Sequence, residues 1–269
     1  MTAHGRPGAR ETIRPLRTLA RRITLTLSLI PAVVLIGPSP AMAGDVPAGP
    51  PAGVDMMLKP PATGKIRVAF VIGPRATVID FTGPWEVFQD VHIDGRGTTH
   101  DDMMPFELFT VADSTDPIVA TGGLRIVPDY AFADAPQPHV IVVPAVKRSD
   151  AMLEWLRRAS PKADVTMSVC TGAFILGHAG LLEGKKATTH HDFFGEFEKA
   201  FPGVTLHRGR RFVENPGVSS AGGLTSGIDL ALRVVARYFG RETADRTARY
   251  MEYEGTGWIE GKARVPADR

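Results

Sequence analysis

The chain has 269 residues and a single cysteine, Cys170. An intramolecular disulfide is therefore impossible, and a zinc site built from several thiolates of one chain is excluded as well. Low-complexity, collagen-like and coiled-coil patterns are also missing. With 43% hydrophobic and 22% charged residues, the composition is that of a globular protein.

The net positive charge of the chain comes from its N-terminus. Residues 1–43 hold six arginines and one acidic residue, Glu11, whereas the rest of the chain holds 25 basic and 28 acidic residues. The remainder has no overall positive field that would attract nucleic acid. The stretch after the last predicted helix is also too short for paired helix-turn-helix segments. We therefore expect a small-molecule substrate and no nucleic-acid partner.

The first 43 residues have the three parts of a secretory signal peptide. A basic stretch, Arg10–Arg22, precedes an uncharged apolar run of about 14 residues, which is short for a membrane span of roughly 20. Small residues follow at Ala41-Met42-Ala43. We predict cleavage near Ala43 and an exported chain, periplasmic or secreted, with no stable membrane insertion. An uncleaved anchor is the alternative, and the export route, Sec or twin-arginine, stays open.

Beyond the predicted signal peptide, residues 44–62 are rich in Pro, Gly and Ala and are predicted to be a flexible tether. Residues 63–269 are predicted to form one α/β domain of three layers with a largely parallel sheet, because short apolar runs alternate with helical patterns. The predicted main strands are Ile66–Val71, Phe106–Val111, Val140–Val143, Val165–Val169 and Val218–Ala221. The predicted helices are one starting at Pro84, then Ala151–Ala159, Ala173–Ala179, Phe193–Ala200, Ile228–Tyr238 and Arg241–Tyr253.

Cys170 stands where the predicted strand Val165–Val169 turns into a helix that starts with small residues. A turn of this kind, a nucleophile elbow, lifts a side chain out of the sheet. The N-terminus of the following helix presents free N–H groups, which favour a thiolate, the reactive form of cysteine. We therefore predict a reactive Cys170, with inert packing as the alternative.

Several stretches of the sequence resemble the ThiJ/PfpI superfamily, and within it the isonitrile hydratase branch and the domains of some AraC-type regulators. The resemblance covers roughly residues 66–254. The matching stretches are Ile79–Phe88 (IDFTGPWEVF), Val169–Gly177 (VCTGAFILG), Ala179–Leu182, Ala187–His190 (ATTH) and Ser220–Asp229 (SAGGLTSGID).

This resemblance implies a flavodoxin-like fold with the nucleophile elbow, a homodimer and no cofactor. It implies that Cys170 is the nucleophile, that Asp80 is the carboxylate lying against its sulfur, and that Thr171 assists as the next residue. It further implies that His190 lies near the cysteine, and Glu86 falls where an acid can orient that histidine.

Each of these residues also has a purely structural interpretation. Asp80 is a candidate turn residue before Pro84, Glu86 an acid in a first helical turn, and His190 a core histidine. Asp229 is interpreted as an acid in a first helical turn, and Gly222-Gly223 as tight strand-to-helix packing. His190-His191-Asp192, with His207, suggests a metal site, but adjacent histidines of a strand point to opposite faces. We therefore predict no metal.

Two departures from the family pattern affect the predicted chemistry. Members commonly have Pro-Gly-Gly after the strand that here ends at Val143, whereas this chain has Pro144-Ala145-Val146. Ala145 can adopt fewer backbone conformations than glycine. Whether its N–H can turn towards an anion and supply one half of an oxyanion site is therefore in question. Peptidase-like members have histidine directly after the cysteine; Thr171 in that place argues against peptidase activity.

The first functional hypothesis is a cysteine-dependent hydratase that adds water to a small carbon electrophile, as isonitrile hydratases do. The second is a glyoxalase- or deglycase-like enzyme acting on 2-oxoaldehydes through Cys170, Asp80 and His190. The third is a non-catalytic exported protein whose cysteine senses oxidation. In the first two, we expect burial beside the sulfur to raise the pKa of Asp80.

Overall fold

The computed structural model describes residues 57–262. The predicted signal peptide, residues 1–43, and most of the predicted tether, residues 44–62, lie outside the described residues. Leu58, within the predicted tether, donates its N–H to the carbonyl of Arg237 at 2.8 Å and packs against the core. The packed chain therefore includes residues ahead of position 63. No helix in the described part is long and apolar enough to span a bilayer.

Eleven strands and eight α-helices are found between residues 57 and 262. The strands are β1 (Ile66–Val71), β2 (Phe106–Ala112), β3 (Ile118–Val119), β4 (Arg125–Ile126), β5 (Tyr130–Ala131), β6 (Val140–Val143), β7 (Val165–Ser168), β8 (Lys186–Ala187), β9 (Thr205–Leu206), β10 (Phe212–Asn215) and β11 (Val218–Ala221). The helices are α1 (Val78–Gln89), α2 (His100–Met103), α3 (Asp150–Ala159), α4 (Gly172–His178), α5 (Phe194–Ala200), α6 (Ser226–Phe239), α7 (Arg241–Tyr250) and α8 (Gly257–Glu260).

Seven strands form the central sheet in the order β10-β11-β7-β6-β1-β2-β5. All neighbouring pairs are parallel except β10 with β11. Two small two-stranded sheets, β3-β4 and β8-β9, lie apart from it. The mixed α/β fold with a mostly parallel sheet confirms the predicted fold class. Strands β3 and β4 pair antiparallel on either side of Thr121–Gly123.

The sheet is covered on both faces, which explains why its central strands are apolar without alternation. One core contains Phe70 of β1 and Phe88 of α1 together with apolar residues of α6 and α7. The other contains Ile141 of β6 with residues of α3, α4 and α5. This gives the three layers that the sequence pattern predicts.

Helix α1 begins six residues before the predicted start at Pro84, so that prediction is wrong. Pro84 lies inside the helix, and Asp80 occupies its first turn. The missing N–H of Pro84 removes one helical hydrogen bond, but Thr82 donates its hydroxyl to the Val78 carbonyl at 2.9 Å in the same turns. As a result Asp80 is fixed on a helix rather than in a loop turn.

The connection between β7 and α4 is the sharp corner expected of a nucleophile elbow. Cys170 has φ 59°, a left-handed conformation that is strained for a residue with a side chain. Two residues later, a Cβ added to Gly172 would lie 2.1 Å from the Val143 carbonyl oxygen. Glycine is therefore required at position 172, because the corner packs directly on the backbone at the end of β6.

We expect Gly172→Ala to destabilise the fold by about 3 kcal/mol or more, since the backbone atom it meets cannot move aside. Gly195→Ala in α5 is the matched control: a Cβ there meets no described atom within 4 Å. It should be neutral or stabilise by up to about 1 kcal/mol, through helix propensity. Urea denaturation of both variants checks this, and equal midpoints would contradict it.

Candidate active site

Cys170 is held at the end of β7 by its own backbone. Its N–H donates to the carbonyl of Gly222 at 2.8 Å, and its carbonyl accepts from the Thr189 hydroxyl at 3.0 Å. The residue is buried, with 7% of its surface exposed. The strained conformation is thus fixed from two neighbouring segments, the turn after β11 and the chain that follows β8.

Two backbone amides approach the sulfur of Cys170. The backbone N–H groups of Thr171 and Leu224 and the Thr171 hydroxyl interact with Sγ, and each interaction lowers the pKa of the thiol. Leu224 has φ 47°, another left-handed residue, in the turn that joins β11 to α6. Two converging N–H groups stabilise negative charge on sulfur as they would on an oxyanion. Thr171 therefore lies at the sulfur, as the family resemblance implies. The interaction of the Leu224 N–H with the sulfur was not predicted from the sequence.

Asp80 projects from the first turn of α1 and is fully buried. Its Oδ2 accepts from the Ala145 N–H at 3.1 Å. Its Oδ1 is buried and has no hydrogen bond of regular geometry within residues 57–262. Burial raises the pKa of Asp80 to about 6, against smaller lowering effects of the Ala145 N–H and the Cys170 thiol. The carboxyl is therefore paired with the cysteine, and the expected rise of its pKa is confirmed.

The expectation of a resting thiolate at Cys170 is wrong. Burial and the negative charge of Asp80 raise the pKa of the thiol to about 11, in spite of the two backbone N–H donors. Helix α4 has only seven residues, and its N-terminus does not outweigh desolvation. At neutral pH these shifts leave the proton on the sulfur and the negative charge on Asp80.

Ala145 does take part in the site, but through the carboxylate. Its N–H donates to Asp80 and its carbonyl accepts from the Thr77 N–H at 2.8 Å. Through these two hydrogen bonds, the Pro144-Ala145 loop that follows β6 is attached to the start of α1. Stabilisation of negative charge at the sulfur instead comes from Thr171 and Leu224.

His190 follows β8 and packs against the turn that holds the cysteine. A Cβ added to Gly223 would lie 2.4 Å from His190 Cδ2, so the ring rests directly on that glycine. Gly223 is therefore required by the contact with the His190 ring, whereas a Cβ at Gly222 would meet atoms only at 3.4 Å and beyond. Glu86 is exposed on α1. In the described chain no hydrogen bond or ion pair joins His190 to Cys170, Asp80 or Glu86. Direct interactions with the Cys170–Asp80 pair are made by Thr171 and Ala145 among the predicted residues.

The argument from sequence against a metal site at His190-His191-Asp192 assumed that both histidines lie on a strand, and this assumption is wrong. The two histidines lie after β8, and their rings stack at 4.4 Å. One donor atom from each of the three residues lies within 4.8 Å of the others. His191 Nε2 already lies 3.1 Å from Asp192 Oδ1, and both side chains are about two-thirds exposed.

A cavity of about 980 Å³ is lined in part by Leu224 and its neighbours in the turn that joins β11 to α6. Cys170, Asp80 and Thr171 are not part of its described lining. Polar residues of the cavity wall are held in place by Asp229, which is buried in the first turn of α6. Asp229 accepts from Arg211 Nε at 2.6 Å and from Tyr253 Oη at 3.1 Å. The lining includes Thr189, His190, Arg211, Leu224, Asp229 and Tyr253.

Known proteins with similar sequences include an enzyme and transcriptional regulators. The isonitrile hydratase of Pseudomonas putida is 29% identical over 197 residues, covering 70% of this chain and 78% of that protein. The HTH-type transcriptional regulator CdhR of Pseudomonas aeruginosa is 28% identical over 133 residues, covering 48% of this chain and 39% of the regulator. The chain thus spans well under half the length of that regulator.

Solved structures share the fold. A ThiJ/PfpI family protein from Pseudomonas syringae is 28% identical, with a TM-score of 0.58 over 78% of this chain and 84% of that one. Drosophila melanogaster DJ-1beta is 14% identical, with a TM-score of 0.59 over 71% of this chain and all of that one. The DJ-1/PfpI family model matches residues 66–237. Since this range is more than half of the sequence and contains the elbow with its paired acid, the chain belongs to the DJ-1/PfpI family.

Proposed function

We propose that the protein is a cysteine-dependent hydratase of the isonitrile hydratase type, which converts an isonitrile and water into an N-substituted formamide. The observation that carries the proposal is the buried pair of Cys170 and Asp80, a nucleophile with a carboxyl group beside it. The similarity to the Pseudomonas putida isonitrile hydratase supports the same class of substrate.

In the first step, the Cys170 sulfur attacks the terminal carbon of the isonitrile. Asp80 takes the thiol proton as the carbon–sulfur bond forms, and the same proton then goes to that carbon. The product is a thioimidate, R–N=CH–S–Cys, and Asp80 is again ionised. The unpartnered Oδ1 of Asp80 is the atom that can carry the proton, because Ala145 already occupies Oδ2.

In the second step, water adds to the thioimidate carbon. Asp80 removes a proton from the water and passes it to the nitrogen, which gives a tetrahedral R–NH–CH(OH)–S–Cys adduct. Its collapse breaks the carbon–sulfur bond and releases R–NH–CHO, while the hydroxyl proton of the adduct passes through Asp80 to the leaving sulfur. The N–H groups of Thr171 and Leu224 stabilise the sulfur as it departs with negative charge.

The neighbouring cavity is our proposed place for the substituent R. Leu224 belongs both to the amide cradle of the sulfur and to the cavity wall. The lining combines apolar side chains such as Phe194 with the ordered Arg211–Asp229 pair, which suits a substituent with an apolar body and a polar group. We also propose that the protein is exported, on the signal-peptide pattern of residues 1–43, and that it forms a homodimer, on the family resemblance.

We expect purified protein to form N-cyclohexylformamide from cyclohexyl isocyanide, and Cys170→Ala to lower the rate by at least about 10³-fold, since the nucleophile is lost. Product formation is followed by mass spectrometry. Hydration by Cys170→Ala at the rate of the unmodified protein would refute the mechanism. Lactate formed from methylglyoxal, without formamide, would favour the glyoxalase-like alternative.

Asp80→Asn should lower the rate by about 10²-fold or more, because proton transfer to carbon and from water is lost. Glu86→Gln, which changes an exposed carboxylate on the same helix, should leave the rate within about twofold. Initial rates of both variants at pH 7.5 test this. Similar losses in the two variants would show that position 80 has no special role.

Asp80→Asn should also stabilise the fold at pH 8 by about 2 kcal/mol. The folded-state pKa of about 6 lies above the ordinary value of 3.8. The stabilising contribution of the protonated carboxyl is therefore complete below about pH 4 and is lost as the pH rises through about 6. Thermal unfolding between pH 4 and pH 8 measures this, and a difference between variant and wild type that does not change with pH would contradict it.

A further inference from the structure

We propose that Thr189 is a positioning residue for the nucleophile: its hydroxyl orients the peptide group between Cys170 and Thr171, so that the Thr171 N–H points at the cysteine sulfur. The inference rests on the proposed role of Cys170 as nucleophile. Thr189 itself has no contact with the sulfur in the described structure.

The first step of the argument concerns the two ends of one peptide group. The carbonyl of Cys170 accepts from Thr189 Oγ1 at 3.0 Å. The N–H of the same peptide group, which belongs to Thr171, interacts with Cys170 Sγ and lowers the pKa of the thiol. In a planar trans peptide the C=O and N–H point in opposite directions. Holding the oxygen therefore fixes the direction of the N–H.

The second step is that this peptide group needs such a restraint. Cys170 has φ 59°, so its backbone gains nothing from a regular strand or helix conformation. The other donor to its carbonyl in the described chain is the Ala173 N–H, at the long distance of 3.5 Å. The Thr189 hydroxyl is thus the short, well-formed hydrogen bond to this carbonyl.

The third step is that Thr189 is itself fixed. Its side chain is 1% exposed, and the preceding residue, Thr188, donates its N–H to the hydroxyl of Ser220 in β11 at 2.9 Å. The next residue, His190, rests on Gly223. The segment from Thr188 to His190 is therefore attached to β11 before Thr189 and to the turn that carries the Leu224 amide after it.

Thr188 provides a matched control next to the proposed residue. It is equally buried, but its Oγ1 has no hydrogen-bond partner within residues 57–262. Thr188→Val therefore removes a buried hydroxyl of the same type without removing a hydrogen bond to the elbow. Any difference between the two valine variants reports the Thr189–Cys170 bond rather than the loss of a hydroxyl in general.

The test measures the alkylation of Cys170 by iodoacetamide at pH 8, which needs no knowledge of the substrate. With the Thr171 N–H less well directed at the sulfur, Thr189→Val should raise the thiol pKa by about one unit and slow alkylation about tenfold. Thr189→Ser, which keeps the hydroxyl, and Thr188→Val should both react within about threefold of wild type. With cyclohexyl isocyanide, Thr189→Val should lower kcat and leave KM nearly unchanged.

A folded Thr189→Val that is alkylated at the wild-type rate would overturn the proposal, as would a Thr189→Ser variant as slow as Thr189→Val. If Thr189→Val does not fold, Thr189→Ala removes the hydroxyl with a smaller side chain and carries the same expectation. Failure of the hydratase assay alone would refute the proposed function but not this inference, because alkylation reports only the reactivity of the sulfur.

Discussion

The site depends on one constraint, the left-handed conformation of Cys170 at the end of β7. An L-residue adopts φ 59° only where the surrounding structure holds it there. The Gly222 carbonyl and the Thr189 hydroxyl bind the two ends of this residue's backbone, and Gly172 allows the corner to rest on the end of β6. If any of these contacts is lost, the sulfur is no longer aligned with the Thr171 and Leu224 amides.

The electrostatics follow from burial rather than from a helix dipole. A buried thiol beside a buried carboxyl cannot lose its proton while its neighbour is ionised, because two negative charges would then share one unsolvated site. Burial raises the pKa of both groups, and the negative charge of Asp80 raises that of Cys170 further. A protonated thiol beside an ionised carboxyl suits addition of water across an isonitrile, since a proton must leave sulfur and reach carbon within one site. It suits a permanently ionised redox-sensing thiolate less well.

The sequence predicted the layers of the fold well, because buried parallel strands such as Val140–Val143 and Val218–Ala221 are marked by local runs of apolar residues. It also predicted the elbow, because Cys170 follows such a strand. It could not show the Leu224 amide at the sulfur or the Thr189 hydroxyl on the Cys170 carbonyl. Each contact has a backbone group as one partner, the Leu224 N–H or the Cys170 carbonyl, and joins segments that are separated in the chain, so residue types alone do not predict it. The start of α1 was misplaced because Pro84 favours a first turn, whereas tertiary packing here accepts it inside the helix.

The departure from Pro-Gly-Gly after β6 is consistent with this geometry. A glycine at position 145 would be needed if the local N–H had to turn towards a developing anion. Here the Ala145 N–H donates to Asp80 Oδ2 instead, and no left-handed conformation is found at Ala145 or Val146. Alanine is then sufficient, and it fixes which carboxyl oxygen stays free. The Ala145 N–H thus orients the acid and does not stabilise the anion. Negative charge at the sulfur is stabilised by the N–H group of Leu224, a residue with a left-handed backbone conformation.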